Sequence, residues 1–322
     1  MKAMILEGAD KSLDYKDAPD PQSDAEHVVV HLKAAALNHR DLWIRKGQYA
    51  GITYPIILGS DGSGVLGGST REVIINPSLS WGNDPRAQQK SFRILGLPDD
   101  GTLAERVKVP AENLADKPEH LTHEQAAALP LAGLTAYRAL FSRAHLQKGE
   151  RVLITGIGGG VALFALQFAV AAGAAVFVTS GSAEKLERAK AMGALGGANY
   201  KDAKWADSLR VQAGEFDVIV DGTAGDALNT LCDAAAPGGR LAFYGATLGN
   251  PKDIVWRRIF WKQLALLGST MGNPADFVAM MKFVNDHKIV PTVDSVFALA
   301  DANAALQRMA AAEQFGKIVL SI

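Results

Sequence analysis

The chain has a single cysteine, Cys232, among 322 residues. An internal disulfide is therefore excluded, and so is a metal centre built from thiolates. Charge of either sign is not in excess: the formal net charge of −1 gives no field that would attract nucleic acid or an anionic membrane surface. The most apolar stretch, residues 161–172, is too short to cross a bilayer. The N-terminus also lacks the pattern of a signal peptide. We therefore expect a cytoplasmic protein with neither a nucleic-acid nor a membrane partner.

Two kinds of sequence texture, meaning the pattern of apolar runs and of Gly and Pro, follow one another along the chain. They predict two domains, which the length also favours. Residues 1–117 contain short β-forming runs separated by Gly and Pro, and residues 290–322 return to this texture, so both are expected in one β-rich domain. Residues 118–289 alternate between apolar strands and helices, which predicts a parallel sheet covered on both faces. The strand candidates are residues 151–155, 175–180, 216–221, 240–245 and 265–269, and the helix candidates are residues 123–143, 161–172, 183–192 and 227–236.

A glycine-rich turn follows the first predicted strand of the second domain. Residues 152–162 read VLITGIGGGVA, with an apolar strand before the glycines and an apolar helix after them. Glycine is needed where a tight turn approaches a pyrophosphate, and the helix N-terminus offers free N–H groups to the anion. The spacing departs from G-x-G-x-x-G but fits G-x-x-G-x-x-A, which ends at Ala162. We predict dinucleotide contacts at Gly156, Gly158, Gly159, Gly160 and Val161; a plain tight turn is the alternative.

The end of the second predicted strand indicates which dinucleotide binds. NAD-binding domains place Asp or Glu there to accept hydrogen bonds from the ribose hydroxyls, but this strand ends without an acid. Ser180, Ser182 and Lys185 can donate to a 2′-phosphate instead, although Ser182 also suits a helix N-cap. Glu184 is expected to point to solvent. We therefore expect NADPH as the cofactor, with NADH as the less favoured alternative.

Several ordered motifs resemble the medium-chain dehydrogenase/reductase superfamily, and within it the zinc-free quinone oxidoreductase-like branch. They are residues 38–41 (NHRD), 45–49 (RKGQY), 55–64 (PIILGSDGSG), 126–130 (AAALP), 133–137 (GLTAY), the glycine turn, 217–221 (DVIVD) and 316–319 (GKIV). The resemblance covers nearly the whole chain. It implies an α/β fold with a GroES-like β-rich catalytic domain and a Rossmann-type doubly wound domain.

The remaining cofactor contacts are expected at residues that follow strand ends and at residues that the resemblance adds. The first group is Gly245, Ala246, Thr247, Ser269 and Thr270. The resemblance adds Lys317, as a near-terminal basic residue that touches phosphate. Tyr200 and Thr223 complete the predicted set.

Zinc-dependent members of the superfamily hold a catalytic metal with a Cys, the His of a G-H-E motif and a further Cys or Asp. By this resemblance Asn38 stands at the position of the first Cys, and Gly59-Ser60-Asp61 stands at the position of G-H-E. Asn and Ser are poor zinc ligands, so we expect no catalytic zinc. Residues 76–101, which match the structural zinc lobe of those enzymes, have no cysteine and resemble a lobe that has lost its metal.

Loss of the zinc ligands favours reduction over alcohol oxidation. In an enone or quinone the negative charge develops on a carbonyl oxygen, which hydrogen-bond donors can stabilise. Oxidising an alcohol requires removal of a proton, which zinc normally assists. The candidate catalytic residues are Asn38, Arg45, Tyr49 and Thr135, although an ion pair with Asp41 is the favoured explanation of Arg45.

We therefore expect an NADPH-dependent, metal-independent oxidoreductase that acts on quinones or α,β-unsaturated carbonyl compounds, with a small molecule as substrate. Two alternatives stay open: an alcohol or aldehyde dehydrogenase of the same fold with a proton relay, and a non-catalytic nucleotide-sensing protein. The last predicted strand of the second domain is apolar, and related enzymes pair it across a dimer two-fold. Because an exposed apolar edge needs cover, we also predict a homodimer.

Overall fold

The computed structural model describes residues 1–322. In chain order the strands are β1 Lys2–Leu6, β2 Asp14–Asp17, β3 His27–Ala36, β4 Ile56–Ile57, β5 Asp61–Leu66, β6 Glu72–Ile75, β7 Ser78–Leu79, β8 Arg93–Ile94, β9 Arg106–Pro110, β10 Leu114–Asp116, β11 Arg151–Ile154, β12 Ala175–Ser180, β13 Gly196–Asn199, β14 Phe216–Asp221, β15 Ala235–Phe243, β16 Ala265–Gly268, β17 Val293–Ala298 and β18 Lys317–Ser321. The helices are α1 His39–Arg45, α2 His123–Ala128, α3 Pro130–Tyr137, α4 Gly160–Ala171, α5 Ala183–Ala191, α6 Trp205–Ala213, α7 Leu228–Ala234, α8 Trp256–Trp261, α9 Pro274–His287 and α10 Ala302–Ala310. None of the helices is long and apolar enough to cross a membrane.

The chain forms two compact units, residues 1–132 with 273–322 and residues 133–272. The first unit is built on a mainly antiparallel sheet of order β10-β6-β5-β3-β18-β17, with β9 also paired to β3. Along β3, Val30 and Leu32 are buried while His31 and Lys33 are exposed, as expected for a sheet with one solvated face. The C-terminal strand β18 pairs with β3.

The second unit contains a six-stranded parallel sheet of order β13-β12-β11-β14-β15-β16. This is the doubly wound order of dinucleotide-binding domains, so the Rossmann-type prediction is confirmed. Leu153 and Ile219 are fully buried because β11 and β14 lie inside the sheet with both faces covered. On one face the rings of Phe177 and Phe216 pack edge to face with centroids 5.7 Å apart.

The two units divide the chain at other residues than the change of texture suggests: the first boundary lies after residue 132 instead of 117, and the second lies before residue 273 instead of 290. Residues 118–132 stay with the first unit because α2 packs on its sheet, where Ala127 joins a buried cluster with Ala34 and Ala36 of β3. The first unit also includes α9, and just before this helix Asn273 donates from Nδ2 to the carbonyl oxygen of Pro85 at 3.3 Å. The pattern of hydrophobic residues therefore predicts the kind of secondary structure that a segment forms, but not which of the two compact units the segment joins.

The segment that resembles a metal-free zinc lobe is closed by the hairpin of β7 and β8. Leu79, Trp81 and Leu95 are buried, and the Trp81 ring packs edge to face on Phe92 with centroids 5.3 Å apart. The side chain of Asn113 donates to the carbonyl oxygens of Asn76 and Ser78 at 2.9 and 3.0 Å. Apolar packing and hydrogen bonds therefore stabilise this segment.

Candidate active site and cofactor site

The turn between β11 and α4 requires glycine. Gly156 and Gly158 have φ of +65° and +127°, which residues with side chains rarely adopt. Gly159 is the N-cap of α4, and a Cβ at this position would meet no other atom within 4 Å. The first N–H groups of α4, from Gly160 and Val161 onward, therefore adjoin open space at a helix N-terminus. This arrangement fits a pyrophosphate.

The end of β12 presents hydroxyl groups and no carboxylate. Ser180 is buried, and its Oγ accepts the N–H of Ser182 at 3.2 Å. The Oγ of Ser182 accepts the N–H of Lys185 at 3.3 Å, so Ser182 is the N-cap of α5. Glu184 is exposed in the first turn of α5, as predicted.

Lys185 lies close to Gly158, and Tyr200 lies close to Gly181. The Cδ and Nζ atoms of Lys185 are 3.0 and 3.4 Å from the position that a Cβ atom would take at Gly158. The hydroxyl oxygen of Tyr200 is 2.7 Å from the place of a Cβ at Gly181. The Lys185 ammonium thus lies beside the glycine turn. The Tyr200 hydroxyl lies beside the end of β12, where a dinucleotide places its adenosine ribose.

A buried carboxylate organises the loop after β14. Asp221 accepts from the hydroxyl of Thr155, from the Thr223 hydroxyl at 2.7 Å and from the N–H of Ala224 at 2.8 Å. The Thr223 methyl carbon is 3.3 Å from the place of a Cβ at Gly156. Asp221 therefore fixes Thr223 against the glycine turn.

The ends of β15 and β16 carry the other predicted cofactor residues. Thr247 donates from its backbone N–H to Gly222 O at 3.4 Å, and Gly245 and Ala246 precede it on an exposed loop. The Oγ of Ser269 is buried without a hydrogen-bond partner in the protein, and Thr270 follows it. An orphaned hydroxyl at the carboxyl end of a parallel strand fits a cofactor contact. The residues of this unit therefore fit a nicotinamide dinucleotide.

In the first unit, Asn38 belongs to a buried polar cluster at the N-terminus of α1. Its Nδ2 donates to Oδ2 of Asp61 at 2.9 Å, and its Oδ1 accepts from Nζ of Lys317 at 2.6 Å. The Lys317 ammonium also contacts Oδ2 of Asp61 at 3.0 Å and donates to Leu37 O at 2.7 Å. The other oxygen of Asp61 accepts the N–H of Leu131 at 2.8 Å. Asp61 thus connects β5, α1, β18 and the start of α3.

Tyr49 is placed by Arg40. The Arg40 guanidinium lies 5.3 Å from the centroid of the Tyr49 ring, within the range of a cation–π contact. Nη1 of Arg40 donates to Oγ of Ser60 at 2.6 Å and to Leu95 O at 2.8 Å. Tyr49 is partly exposed and so accessible to a ligand.

His39 is exposed beside Asn38 and makes no side-chain hydrogen bond within the protein. Although the residue is exposed in part, other atoms of the protein crowd its ring. This desolvation, and then repulsion from the Lys317 ammonium, lower the pKa of His39 below its usual value. Its imidazole is therefore neutral at neutral pH.

The structure places two predicted residues differently from the sequence interpretation. Lys317 is buried and directs its three N–H donors to Leu37, Asn38 and Asp61, so the phosphate contact predicted for it is wrong. Arg45 does not pair with Asp41: Nε of Arg45 donates to Lys11 O at 3.0 Å, and Asp41 accepts the N–H of Asn38 at 2.8 Å. The predicted ion pair is therefore wrong, because Asp41 points to the helix start and is fully buried.

Thr135, the fourth candidate catalytic residue, lies in α3 and is buried. Its hydroxyl is 3.9 Å from Sδ of Met271.

The sequence interpretation missed the buried polar cluster around Lys317. The signal for it was the lysine itself, because a lysine at the start of the apolar run of β18 must find a buried acceptor.

Asn38 and Ser60, the residues at the two metal-ligand positions that the resemblance identifies, do not fit a zinc ion. Asn38 Oδ1 is bonded to the Lys317 ammonium, and Ser60 Oγ donates to Leu95 O at 2.7 Å. A second cation at Asn38 would meet that ammonium, and neither side chain is a good zinc ligand. Nowhere in the structure do three His, Cys, Asp or Glu side chains form a group that could hold a metal.

A β-rich unit and a doubly wound unit with a glycine turn define the architecture of a nicotinamide-dependent oxidoreductase. Two sequence families match the chain: the alcohol dehydrogenase GroES-like domain at residues 24–119 and the zinc-binding dehydrogenase family at residues 160–286. The zinc-type alcohol dehydrogenase-like protein YogA of Leptosphaeria maculans is 33% identical, over 95% of this chain and 92% of that protein. The chain belongs to the medium-chain dehydrogenase/reductase superfamily.

Two further matches describe the breadth of this superfamily. Acryloyl-coenzyme A reductase of Metallosphaera sedula is 29% identical, over 76% of each chain. A crystal structure of an NAD-dependent alcohol dehydrogenase is 37% identical and superimposes with a TM-score of 0.94, covering 100% of both chains. The protein is thus similar both to an acryloyl-coenzyme A reductase and to an NAD-dependent alcohol dehydrogenase.

Proposed function

We propose that the protein is an NADPH-dependent, metal-independent reductase of α,β-unsaturated carbonyl compounds or quinones. The observation that carries this proposal is the side chain of Asn38. One Nδ2 hydrogen is bonded to Asp61 and Oδ1 is bonded to Lys317, so the second Nδ2 hydrogen has no acceptor in the protein. A fixed donor at the first metal-ligand position suits a carbonyl oxygen that gains negative charge.

The chemistry divides between the cofactor, the solvent and this chain. The reduced nicotinamide, when bound, supplies the hydride that adds to the electrophilic carbon. Asn38 donates to the carbonyl oxygen while the charge develops there, and Tyr49 offers a ring and a hydroxyl for substrate contact. A proton from water then completes the reduced product. An alcohol substrate would need its proton removed first. The carboxylates of Asp41 and Asp61 are hydrogen-bonded within the protein, so such a reaction would have to use the exposed imidazole of His39 as its base.

Turnover assays with the purified protein test this proposal. We expect NADPH to be consumed with enones, acryloyl thioesters or quinones, and not with simple aldehydes. We also expect kcat/KM with NADPH to exceed that with NADH by about tenfold or more, because charge-assisted bonds to a 2′-phosphate are among the stronger hydrogen bonds. Preference for NADH would refute the interpretation of Ser180, Lys185 and Tyr200.

Two other outcomes favour the alternative functions. Oxidation of alcohols with NADP⁺ or NAD⁺, without reduction of enones, would indicate a dehydrogenase with a proton relay, as the likeness to an alcohol dehydrogenase structure suggests. A cofactor that raises the unfolding temperature without ever being consumed would indicate a nucleotide-sensing protein.

We further propose that the protein is a homodimer in which β16 pairs with β16 of a second copy. This strand is at the edge of the parallel sheet, and Leu266 is exposed on it. The neighbouring helix α8 has no buried residue and presents Trp256, Phe260 and Trp261, which are 65%, 65% and 75% exposed. Aromatic side chains beside an open sheet edge are typical of an interface that a partner covers.

Substitution on α8 is expected to change the oligomeric state. Phe260→Asp together with Trp261→Asp places charge in the proposed interface, so light scattering after size-exclusion chromatography should report a monomer where the wild type is a dimer. Val211→Asp is the matched control, because Val211 is 89% exposed on α6, near the opposite edge of the sheet. A monomeric wild type at micromolar concentration would contradict the dimer.

A further inference from the structure

Lys317 places a buried positive charge against the residue at the first metal-ligand position. Its Nζ lies 2.6 Å from Oδ1 of Asn38, 3.0 Å from Oδ2 of Asp61 and 2.7 Å from Leu37 O. These three acceptors use the three hydrogens of an ammonium group. The side chain of Lys317 is buried, so its charge is held within the protein.

Packing alone does not call for a lysine at this position. The residues that follow it in β18, Ile318, Val319 and Leu320, are all fully buried. An ammonium and a carboxylate inside a core are costly to desolvate, and an apolar pair of similar volume is often at least as stable. The Lys317–Asp61 pair is therefore expected to serve something other than stability.

The ammonium fixes the orientation of the Asn38 amide. A flipped amide would point Nδ2 at the Lys317 ammonium and Oδ1 at the Asp61 carboxylate, and both contacts would be repulsive. In the observed orientation the cation draws electron density from Oδ1, which makes the remaining N–H a stronger donor. Its field also reaches His39, whose pKa is lowered by desolvation and by Lys317.

We propose that the Lys317 ammonium takes the place of a catalytic metal and acts through Asn38 as a positioning residue. It stabilises negative charge on the carbonyl oxygen that Asn38 contacts. Unlike a metal with an open coordination site, it has no free position for an alkoxide, since its three hydrogens are all bonded. This inference rests on the proposed reductase activity, and it explains why reduction would be favoured over alcohol oxidation.

Two variants separate this role from a structural one. Lys317→Met removes the charge, and we expect kcat for an enone to fall roughly 10- to 100-fold with unchanged affinity for NADPH. This variant leaves the Asp61 carboxylate buried and unpaired, so its unfolding temperature should also fall. The double variant Lys317→Met/Asp61→Asn removes both charges and should recover the unfolding temperature without recovering kcat. Lys282→Met, at an exposed lysine of α9, is the control.

A readout that does not need turnover completes the test. NMR titration of His39 in Lys317→Met should show a raised pKa, because repulsion from the ammonium is gone while desolvation remains. An unchanged His39 pKa, or a double variant with wild-type kcat, would overturn the proposal and leave Lys317 as a structural residue. A wild type that reduces no acceptor would overturn the proposed function, and the His39 titration would still report whether the cation acts at this site.

Discussion

Gly159→Asp is expected to raise the dissociation constant for NADPH by roughly 100-fold or more, while the unliganded protein stays at least as stable as the wild type. The two effects differ because Gly159 is the N-cap of α4. Aspartate is among the preferred N-cap residues, and its charge interacts favourably with the helix N-terminus. The same carboxylate would occupy the open space of the turn and repel a pyrophosphate there. Titration calorimetry and thermal unfolding without cofactor measure the two effects.

Gly159→Asn is the matched control for this prediction. Asparagine has nearly the same size as aspartate and is an equally good N-cap, but it has no charge. It should weaken NADPH binding less than Gly159→Asp, and the difference reports the repulsion between carboxylate and pyrophosphate. An affinity for NADPH equal to that of the wild type in both variants would show that the pyrophosphate does not bind at this turn.

The strands that the sequence predicts best are those buried on both faces. The apolar runs of β11 and β14 can belong only to the interior of a parallel sheet, and the structure confirms both. The strand β13 is missing from the prediction because its residues, Gly196 to Asn199, include no β-branched or aromatic side chain. It is an edge strand, and its pairing with β12 forms it in spite of low propensity.

Helix boundaries depend on single residues that a pattern does not weigh. Residues 123–143 are predicted as one helical run, but the structure divides them at Pro130 into α2 and α3, and a π-helical segment, Arg138–Arg143, follows. Proline lacks the N–H that would continue α2 and is suited to the first turn of α3. The helices α1, α6, α8, α9 and α10 are absent from the prediction. In α10 the buried residues Ala302, Ala305, Leu306 and Met309 recur at helical spacing, so this helix carries a periodic signal that the prediction missed.

The candidate site shows the limit of sequence spacing more clearly. An ion pair between Asp41 and Arg45 follows from i,i+4 spacing, yet the fold buries Asp41 and directs Arg45 to Lys11 O. Lys317 and Asp61 are 256 positions apart and meet only because β18 and β5 both pair with β3. The residue types at positions 38 and 60 indicate that the metal ligands are gone. What occupies their place follows only from the sheet topology.

Asn38→Ala is expected to lower kcat for an enone by roughly 100- to 1000-fold, the usual loss when one donor to an oxyanion is removed. The substitution removes the Nδ2 donor that we assign to the carbonyl oxygen. Affinity for NADPH should not change, because the residues that fit the cofactor belong to the other unit. Steady-state kinetics with a saturating enone, together with NADPH titration, measure both quantities.

Asn113→Ala distinguishes a lost donor from a lost buried amide. Asn113 and Asn38 are 6% and 7% exposed, and both donate from Nδ2 within the first unit. Asn113 donates only to backbone carbonyl oxygens, so its loss should cost about 1–3 kcal/mol of unfolding free energy and leave kcat unchanged below the unfolding transition. If both variants lost stability and kept kcat, Asn38 would be a structural residue like Asn113. A fall in kcat confined to Asn38→Ala is the result expected if its amide contacts the reacting carbonyl.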